Sequence, residues 1–569
     1  MQEAEKRKVD SWVRPELRPT EYRSFGDAYN DDWNKKLSND WAIGKEQRGN
    51  YPYLAWVQKL SDSGWSYLQL LADFMSIGTA PQRWPDLDTT SPVDGRQLTD
   101  IEKEHREKER NRRVRRTKIC VLDYLPDEVE KTMIFSDTKL KEHLNEPMED
   151  NVQFRLYVAE DLSREVIEAL GHKLSVDPDA FRAHIVDGVW YNVRDRWRQP
   201  PSLGITNELE NWTQLRYVTI RYFDTNEGEY DDNWRFRKAR ADEQDFNISR
   251  RLDIDSSSKS FWDKDKPKAI VGLTRSKATL WLKPEKSENS QRIGVLLLDP
   301  TVTTGAPIWR GRRTLWPMPT YGEKLTTSCL PANNFFDDFT FWAGQKNLFP
   351  GYGTNHTPKK LVPMQVLVHL AIAEWVTMVE YIKTRINQLD WEINKPEYFT
   401  VGSRAVDDAL KKLHLWRRLI PLYREMVWET VRHVERLSAR THSKERHPSL
   451  MSHYQRDFDY VLTQLTEYQA RIERLTGVVT GIISIGDSRR SIQDNHNIGR
   501  LTWLATLFIP LSLISSILSM QSYASDISRE TFIIYFATSL PLAVVIATGA
   551  GLLSMSRRLK KLKKGAKAL

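Results

Sequence analysis

Leu501-TWLATLFIPLSLISSILS-Met520 and Thr531-FIIYFATSLPLAVVIATGAGLLSM-Ser556 carry no charged side chain and stand ten residues apart, and their reading decides the fold. Crossing the hydrocarbon of a bilayer takes about 20 helical residues at about 1.5 Å each, a length both stretches reach. The connection from Gln521 to Glu530 is too short to do more than turn the chain back, so the two form a hairpin that enters and leaves on one side. A basic tail follows, with Arg557, Arg558, Lys560, Lys561, Lys563, Lys564 and Lys567 and no acid among them. Arg489, Arg490 and Arg500 precede the first stretch, whereas the connecting loop has one arginine against Asp526 and Glu530. This bias of basic residues places both termini in the cytoplasm and the tail against anionic lipid.

Outward from the hairpin, the chain reads as a soluble polypeptide. Of 569 residues, 28% are charged, and 84 Lys and Arg against 76 Asp and Glu give a formal charge of +8. Much of that excess sits in the tail, which argues against nucleic acid as a partner. Two cysteines, Cys120 and Cys329, exclude a disulfide framework and a cysteine-rich metal site and suit a reducing compartment. The first residues, MQEAEKRKVDSW, hold no apolar run of the signal-peptide kind. Three Asn-x-Ser/Thr triplets, at Asn211, Asn247 and Asn355, are read as unmodified.

Six regions follow from the patterning. Residues 1–116 are polar, with short helices in loosely ordered chain, and end in the charge run Ile101-EKEHREKERNRRVR-Arg116, read as a solvated face. Residues 117–300 form an α/β domain, with strands expected at Thr117–Leu122, Phe154–Val158, Arg216–Phe223, Ala269–Leu273, Ala278–Leu282 and Ile293–Leu298. Asp161-Leu162-Ser163 opens a helix whose apolar face is Val166, Ile167 and Leu170, with Gly171 past its end. Residues 301–360, rich in glycine, proline and aromatics, read as an irregular connector. Residues 361–500 are helical: Leu361–Ile393, then Val406–Ser438 with a kink expected at Pro421, then a stalk. Residues 501–556 are the membrane hairpin and 557–569 the cytoplasmic tail.

The stalk carries Tyr454, Phe458, Val461, Leu465, Tyr468, Ile472 and Leu475, alternating steps of four and three. That spacing lays one apolar stripe along a helix packed against helical neighbours. No proline follows until Pro510, so one helix can run on into the first span, with Gly477, Gly481, Gly486 and Gly499 as weak points.

An α/β domain, a stalk helix running into the first of two spans and a basic tail together resemble the CorA family of magnesium transporters. The residues that carry the resemblance are Asn495-HNIGRLTWLATLFIPLSLISSILSM-Gln521. The family's Asn, its Leu-Thr, its Phe-x-Pro-Leu-(Thr/Ser) block and its closing Gly-Met-Asn fall on Asn495, Leu501-Thr502, Phe508 to Ser512 and Ser519-Met520-Gln521 without a gap. Arg155-LYVAEDLSREVIEALGHKLSVDPDAFRAH-Ile185 and the strand end Leu296-Leu297-Leu298-Asp299-Pro300 are similar to segments of fungal CorA-like proteins.

The resemblance implies a fold class: an α/β cytoplasmic domain followed by a long stalk helix and two C-terminal transmembrane helices. It also implies a function, passive movement of divalent cations, magnesium first, through a homo-oligomeric ring of five, in the plasma membrane or alternatively an organellar one. The mouth falls on Ser519, Met520 and Gln521. Asn495, Ile498, Leu501, Ile509 and Ser512 map to the pore lining, with Ile498 and Leu501 as a dry gate, and Asp526 and Glu530 to an outer loop that attracts cations. Magnesium or another divalent cation is cargo or regulator, and no organic cofactor is implied.

The chain departs from the family at its mouth, with serine for glycine at 519 and glutamine for asparagine at 521. Glutamine keeps the amide oxygen on a longer side chain, and serine lacks glycine's backbone freedom. The alternative function is therefore a non-conducting membrane-anchored scaffold or ion sensor. On residue type alone Ile498, Leu501 and Ile509 serve equally as lipid-facing residues, and Ser512, Ser515 and Ser516 as helix-packing ones. His369, His414, His453 and His496 show no metal-ligand spacing, and no phosphate-binding glycine loop, nucleophile elbow or catalytic triad is present, so an enzyme is not expected.

Overall fold

The computed structural model describes residues 49–77, 104, 107–108, 111–186, 199, 201, 203–223, 246–248, 250, 252–255, 270–284, 292–310, 320–322, 334–345, 361–394, 404–441, 450–519 and 529–565. The chain divides into two compact units, one ending at Leu475 and the other starting at Thr476.

In chain order the first unit opens with helices α1 (Pro52–Asp62) and α2 (Gln69–Ile77), then β1 (Lys118–Tyr124), β2 (Val129–Ile134), α3 (Asp137–Asn145), β3 (Phe154–Glu160), α4 (Arg164–Leu174), α5 (Pro178–Ile185) and α6 (Gly204–Glu208). It continues through β4 (Trp212–Phe223), β5 (Leu252–Asp255), β6 (Ile270–Leu282), β7 (Ile293–Leu298), β8 (Ala306–Pro307), α7 (Phe335–Ala343), α8 (Leu361–Asn394) and α9 (Arg404–Thr441). Helix α10 (Leu450–Leu518) belongs to both units, and α11 (Arg529–Gly565) to the second.

The strands form one mixed sheet in the order β2-β1-β3-β7-β6-β4-β8, with β5 paired to β6. Among the described strands only β3 and β7 pair in parallel. Both are buried along their whole length: β7 is apolar throughout, and the two charges of β3 are paired, Arg155 with Asp123 at 2.6 Å and Glu160 with Lys118 at 2.8 Å. Alternation sorts their residues to two faces. Ile119, Val121, Tyr157, Ala159, Val295 and Leu297 join one core with α1, α2, α4 and α5. Their neighbours Cys120, Leu122, Leu156, Val158, Leu296 and Leu298 are buried on the other face. On that side Phe335 of α7 stacks on Tyr217, and Trp375 of α8 donates its indole N–H to the Arg216 carbonyl at 2.9 Å.

The short helices expected in the opening region include α1 and α2, which join the core through the buried Tyr53, Leu54, Val57 and Phe74. Three expectations differ from what folds. Gly171 lies inside α4, not past its end. A Cβ there would stand 2.6 Å from the Tyr53 ring, so the glycine is what lets α1 approach. Ser175 ends the helix instead, in a left-handed conformation at φ +60.

The two strands expected around Ala269–Leu273 and Ala278–Leu282 are the single strand β6. Thr274-Arg275-Ser276-Lys277 looks like a turn, yet it is buried within the strand. Arg275 pairs with Asp253 at 3.0 Å, and the Lys277 backbone N–H donates to Asp299 at 2.7 Å, so charge that ordinarily marks a surface is matched inside. Within 301–360, read as irregular, α7 forms behind an Asn334 cap whose Oδ1 accepts from the Asp337 N–H at 2.7 Å. Helix α9 runs through Pro421 as one element.

The apolar stripe on α10 is buried from Tyr454 to Leu475 as its spacing requires. Arg471 holds α8 through Asp390 at 2.5 Å and Asn387 at 2.7 Å. Helix α8 is long and apolar enough to cross a membrane, but it is mostly buried inside the protein and serves as a core helix. The apolar stretch of α10 that passes the same test is bare.

Candidate pore face and apolar hairpin

In the second unit the apolar helices pair through few contacts. The Tyr535 hydroxyl of α11 donates to the Leu511 carbonyl of α10 at 3.4 Å. Among the described residues of α11, Ser539 and Ala543 alone are buried, at 0% and 3% exposure. Leu511 and Ile514 on α10 are half-buried. Small residues are what allow two helices to approach where no hydrophobic force drives them together.

Away from that contact lie the residues mapped to the pore. At about 100° per residue, Asn495, Ile498, Leu501, Ile509 and Ser512 fall within an arc of about 120°, on the side of α10 away from Leu511 and Ile514. All five are exposed in the single chain, Ile498 at 58%, Leu501 at 65% and Ile509 at 64%. Ser512 donates its hydroxyl to the Ile509 carbonyl at 2.9 Å, so its oxygen lone pairs and not its proton are open as acceptors.

Ser519 is exposed just past the end of α10 and bonds back through its N–H to the Ser515 carbonyl at 3.0 Å. Met520, Gln521 and Asp526 fall outside the described residues. Glu530 is exposed in the first turn of α11, where a carboxylate complements the helix dipole.

The same arc continues below Asn495, and there sequence reasoning stopped short. Thr480, Ser484, Asp487 and Ser491 stand on it and line a shallow open groove with Ile483, Ser488 and Ile492. Stepping back from Asn495 in threes and fours finds them, because the helix does not break at Gly481, Gly486 or Gly499. Asp487 puts a carboxylate on this face two turns below Asn495.

The acids of the first unit have other uses. Asp299, fully buried, accepts from Arg250 Nε at 2.6 Å and Nη2 at 2.8 Å, and His184 Nε2 lies 3.2 Å away. Burial holds His184 neutral, its pKa lowered to about 3. Asp255 accepts from Tyr381 at 2.6 Å and Arg385 at 2.7 Å, tying the sheet to α8. Asp161, at φ +64, accepts from the N–H groups of Asn247 and Ile248 and the Asn247 amide at 2.8–3.0 Å, while burial pushes its pKa to about 7. Each carboxylate is spoken for by protein donors. No group of three or more metal-ligating side chains occurs among the described residues.

Residues 363–548 match the family model described as CorA-like Mg2+ transporter protein. The chain is similar to the complete structure of the CorA magnesium transporter from Methanocaldococcus jannaschii, at 9% identity and TM-score 0.36 over 76% of this chain and 96% of that one. It is also similar to the full-length CmaX protein, at 9% identity and TM-score 0.35 over 78% and 97%. No curated protein sequence matches it.

Proposed function

We propose that this chain, whose residues 363–548 match the CorA-like Mg2+ transporter model, moves divalent cations, magnesium first, passively through a pore built from copies of itself. The arrangement of α10 supports this reading best. One arc of the helix is bare and carries Asn495, Ile498, Leu501, Ile509 and Ser512, while the opposite side is taken by α11. One pair of spans cannot enclose a polar path, so the bare arcs of several copies face a common axis, five in the ring that the family resemblance implies.

Each residue then has a task set by its chemistry. Magnesium sheds water reluctantly, and amide and hydroxyl oxygens from Gln521, Ser512 and Asn495 can meet the hydrated ion without stripping it. Ile498 and Leu501, one turn apart, close the path by excluding water. Asp487 adds a carboxylate ring on the cytoplasmic side, and Asp526 and Glu530 raise the local cation concentration outside. Both termini lie in the cytoplasm, in the plasma membrane, with Arg557 to Lys567 against anionic headgroups.

Purified chain in liposomes loaded with a magnesium indicator tests the reading. Leu501→Asn and Ile498→Asn are expected to raise basal magnesium entry about tenfold by wetting the constriction. Ser519 and Gln521 favour a second reading, a membrane-anchored sensor that no longer conducts. If Ser519→Gly with Gln521→Asn gives flux where the unaltered chain and both gate variants give none, the sensor stands and the channel falls.

A further inference from the structure

Four polar side chains that stand close together in the sequence, Asn247, Arg250, Asp253 and Asp255, are each 5% exposed or less, where residues of their kind ordinarily face water. Each is held by a different part of the first unit. Asn247 donates its backbone N–H at 2.9 Å and its amide at 2.8 Å to Asp161, just past the end of β3, and Ile248 adds its N–H at 3.0 Å. Arg250 grips Asp299, just past the end of the parallel neighbour β7, at 2.6 and 2.8 Å. Asp253, in β5, accepts from Arg275 of β6 at 3.1 Å. Asp255 accepts from Tyr381 at 2.6 Å and Arg385 at 2.7 Å, both on α8.

Helix α8 carries the next link. At about 100° per residue, Tyr381 and Arg385 lie on one side of it and Asn387 and Asp390 on the opposite side, within about three turns. The second pair holds Arg471 of the stalk helix α10, at 2.7 and 2.5 Å. This stretch of α8 is thus gripped from both sides, by Asp255 and by the stalk. Buried ions matched in this way make a stiff tie, because moving one anchor alone would leave a carboxylate or a guanidinium without its partner in a dry site.

We propose that Asn247, Arg250, Asp253 and Asp255 act as one strap that couples the carboxyl ends of β3 and β7 to the stalk through α8, so that a displacement at Asp161 or Asp299 is felt at Arg471. The rival account is that each anchor serves only its own surroundings. The strap stands whether or not the protein conducts. Its consequence rests on the channel reading: α10 runs on unbroken to Ile498 and Leu501, so the strap becomes a control on the gate.

Amide hydrogen exchange on the full chain in mild detergent, resolved by peptide, tests the strap. Asn247→Ala is expected to speed exchange about tenfold in residues 381–390 of α8 and around Arg471, as well as beside Asp161, while α1 and α2 keep their rates. Coupling is reciprocal, so Arg385→Met at the far end is expected to speed exchange of the Asn247 and Ile248 amides. Arg155→Met is the control, since it breaks the pair with Asp123, a largely buried one in the same sheet but off the strap, and is expected to leave α8 unchanged. Loosening confined to the neighbourhood of each substitution, or the same loosening of α8 by Arg155→Met, overturns the proposal. Should Asn247→Ala not fold, Arg385→Met read at 246–248 decides alone. Magnesium entry into liposomes is the second readout, expected to change about fivefold in both strap variants and not in Arg155→Met. Coupled exchange without flux in any variant leaves the strap in place and removes only the channel reading, whereas flux that is present and unmoved by both strap variants overturns the link to the gate.

Discussion

Helix α10 has two halves that obey different rules. From Tyr454 to Leu475 its apolar stripe is buried against neighbours from the same chain, and Val479 is still buried, whereas Val478, Ile482, Ile485, Ile492, Ile498 and Leu501 are exposed. Nothing in residue type separates the two sets. What separates them is whether the chain supplies a partner surface. The unit ending at Leu475 closes its own accounts, with a sheet covered on both faces and inner carboxylates such as Asp299, Asp255 and Asp161 met by protein donors. The unit from Thr476 presents bare apolar surface, which on the channel reading lipid and other copies of the chain cover, at about 25 cal/mol for each Å² withdrawn from water. Stability in the first unit is thus an intramolecular property, and in the second, on the channel reading, a property of the assembly.

The sharpest way to break that contrast is to unbalance the buried charges of the first unit. Arg250 neutralises Asp299 and also donates to the carbonyls of His184 and Ile185 that end α5. Arg250→Met strands a carboxylate in a dry site and should cost about 3–5 kcal/mol. Denaturant unfolding of the detergent-solubilised chain, followed by the fluorescence of its tryptophans, reads it. Adding Asp299→Leu should recover much of the loss. A single change costing under about 1 kcal/mol would mean the network is decoration and the first unit is held by its apolar faces alone.

Acid probes the same contrast less severely. His184 and His433 are buried and neutral, each with its pKa lowered to about 3, by burial first. Nearby cations reinforce the shift, Arg250 and Lys277 for His184 and Arg436 and Arg216 for His433, while Asp299 opposes it for His184. In the unfolded chain each takes up a proton near pH 6.5. Their contribution is therefore whole above pH 6.5 and lost as pH falls toward about 3, at up to about 1.4 kcal/mol per unit for each histidine. Melting temperatures of the first unit should drop between pH 7 and 5, and His184→Asn should flatten the slope. The second unit has His496 alone among its described residues, exposed on α10, and its helix content should hold over the same range.

The contrast also explains what could be read from the sequence. The hairpin, the stalk stripe and strands such as Ile293–Leu298 were legible because uniform burial or lipid leaves a simple periodic trace. The arc mapped to a pore comes only from the resemblance, since Ile498 and Leu501 look the same facing lipid or facing water. Residues whose role depends on distant partners were not legible. Thr274 to Lys277 read as a turn because the acids that match them lie 22 residues away, at Asp253 and Asp299. Gly171 read as a helix stop because Tyr53, which needs the gap, is 118 residues earlier. Asn334 and Asp337 held a capping signal, and the aromatic, glycine-rich surroundings hid it.

The mildest test concerns the exposed half of α10. Asp487 is exposed and makes no contact that the fold requires, so Asp487→Asn should leave the melting temperature within about 0.5 °C, unlike any change to Asp299. Its effect belongs to the assembly. Several carboxylates around one axis concentrate cations by an interaction that salt screens, over about 30 Å at 0.01 M and about 3 Å at 1 M. Magnesium flux through Asp487→Asn should therefore fall about threefold at low ionic strength and match the unaltered chain in 1 M salt. A loss of equal size at both salt concentrations would mean that Asp487 binds the ion directly or shapes the helix. A loss of stability would mean that this stretch of α10 is packed within the single chain after all, and the division at Thr476 would have to move.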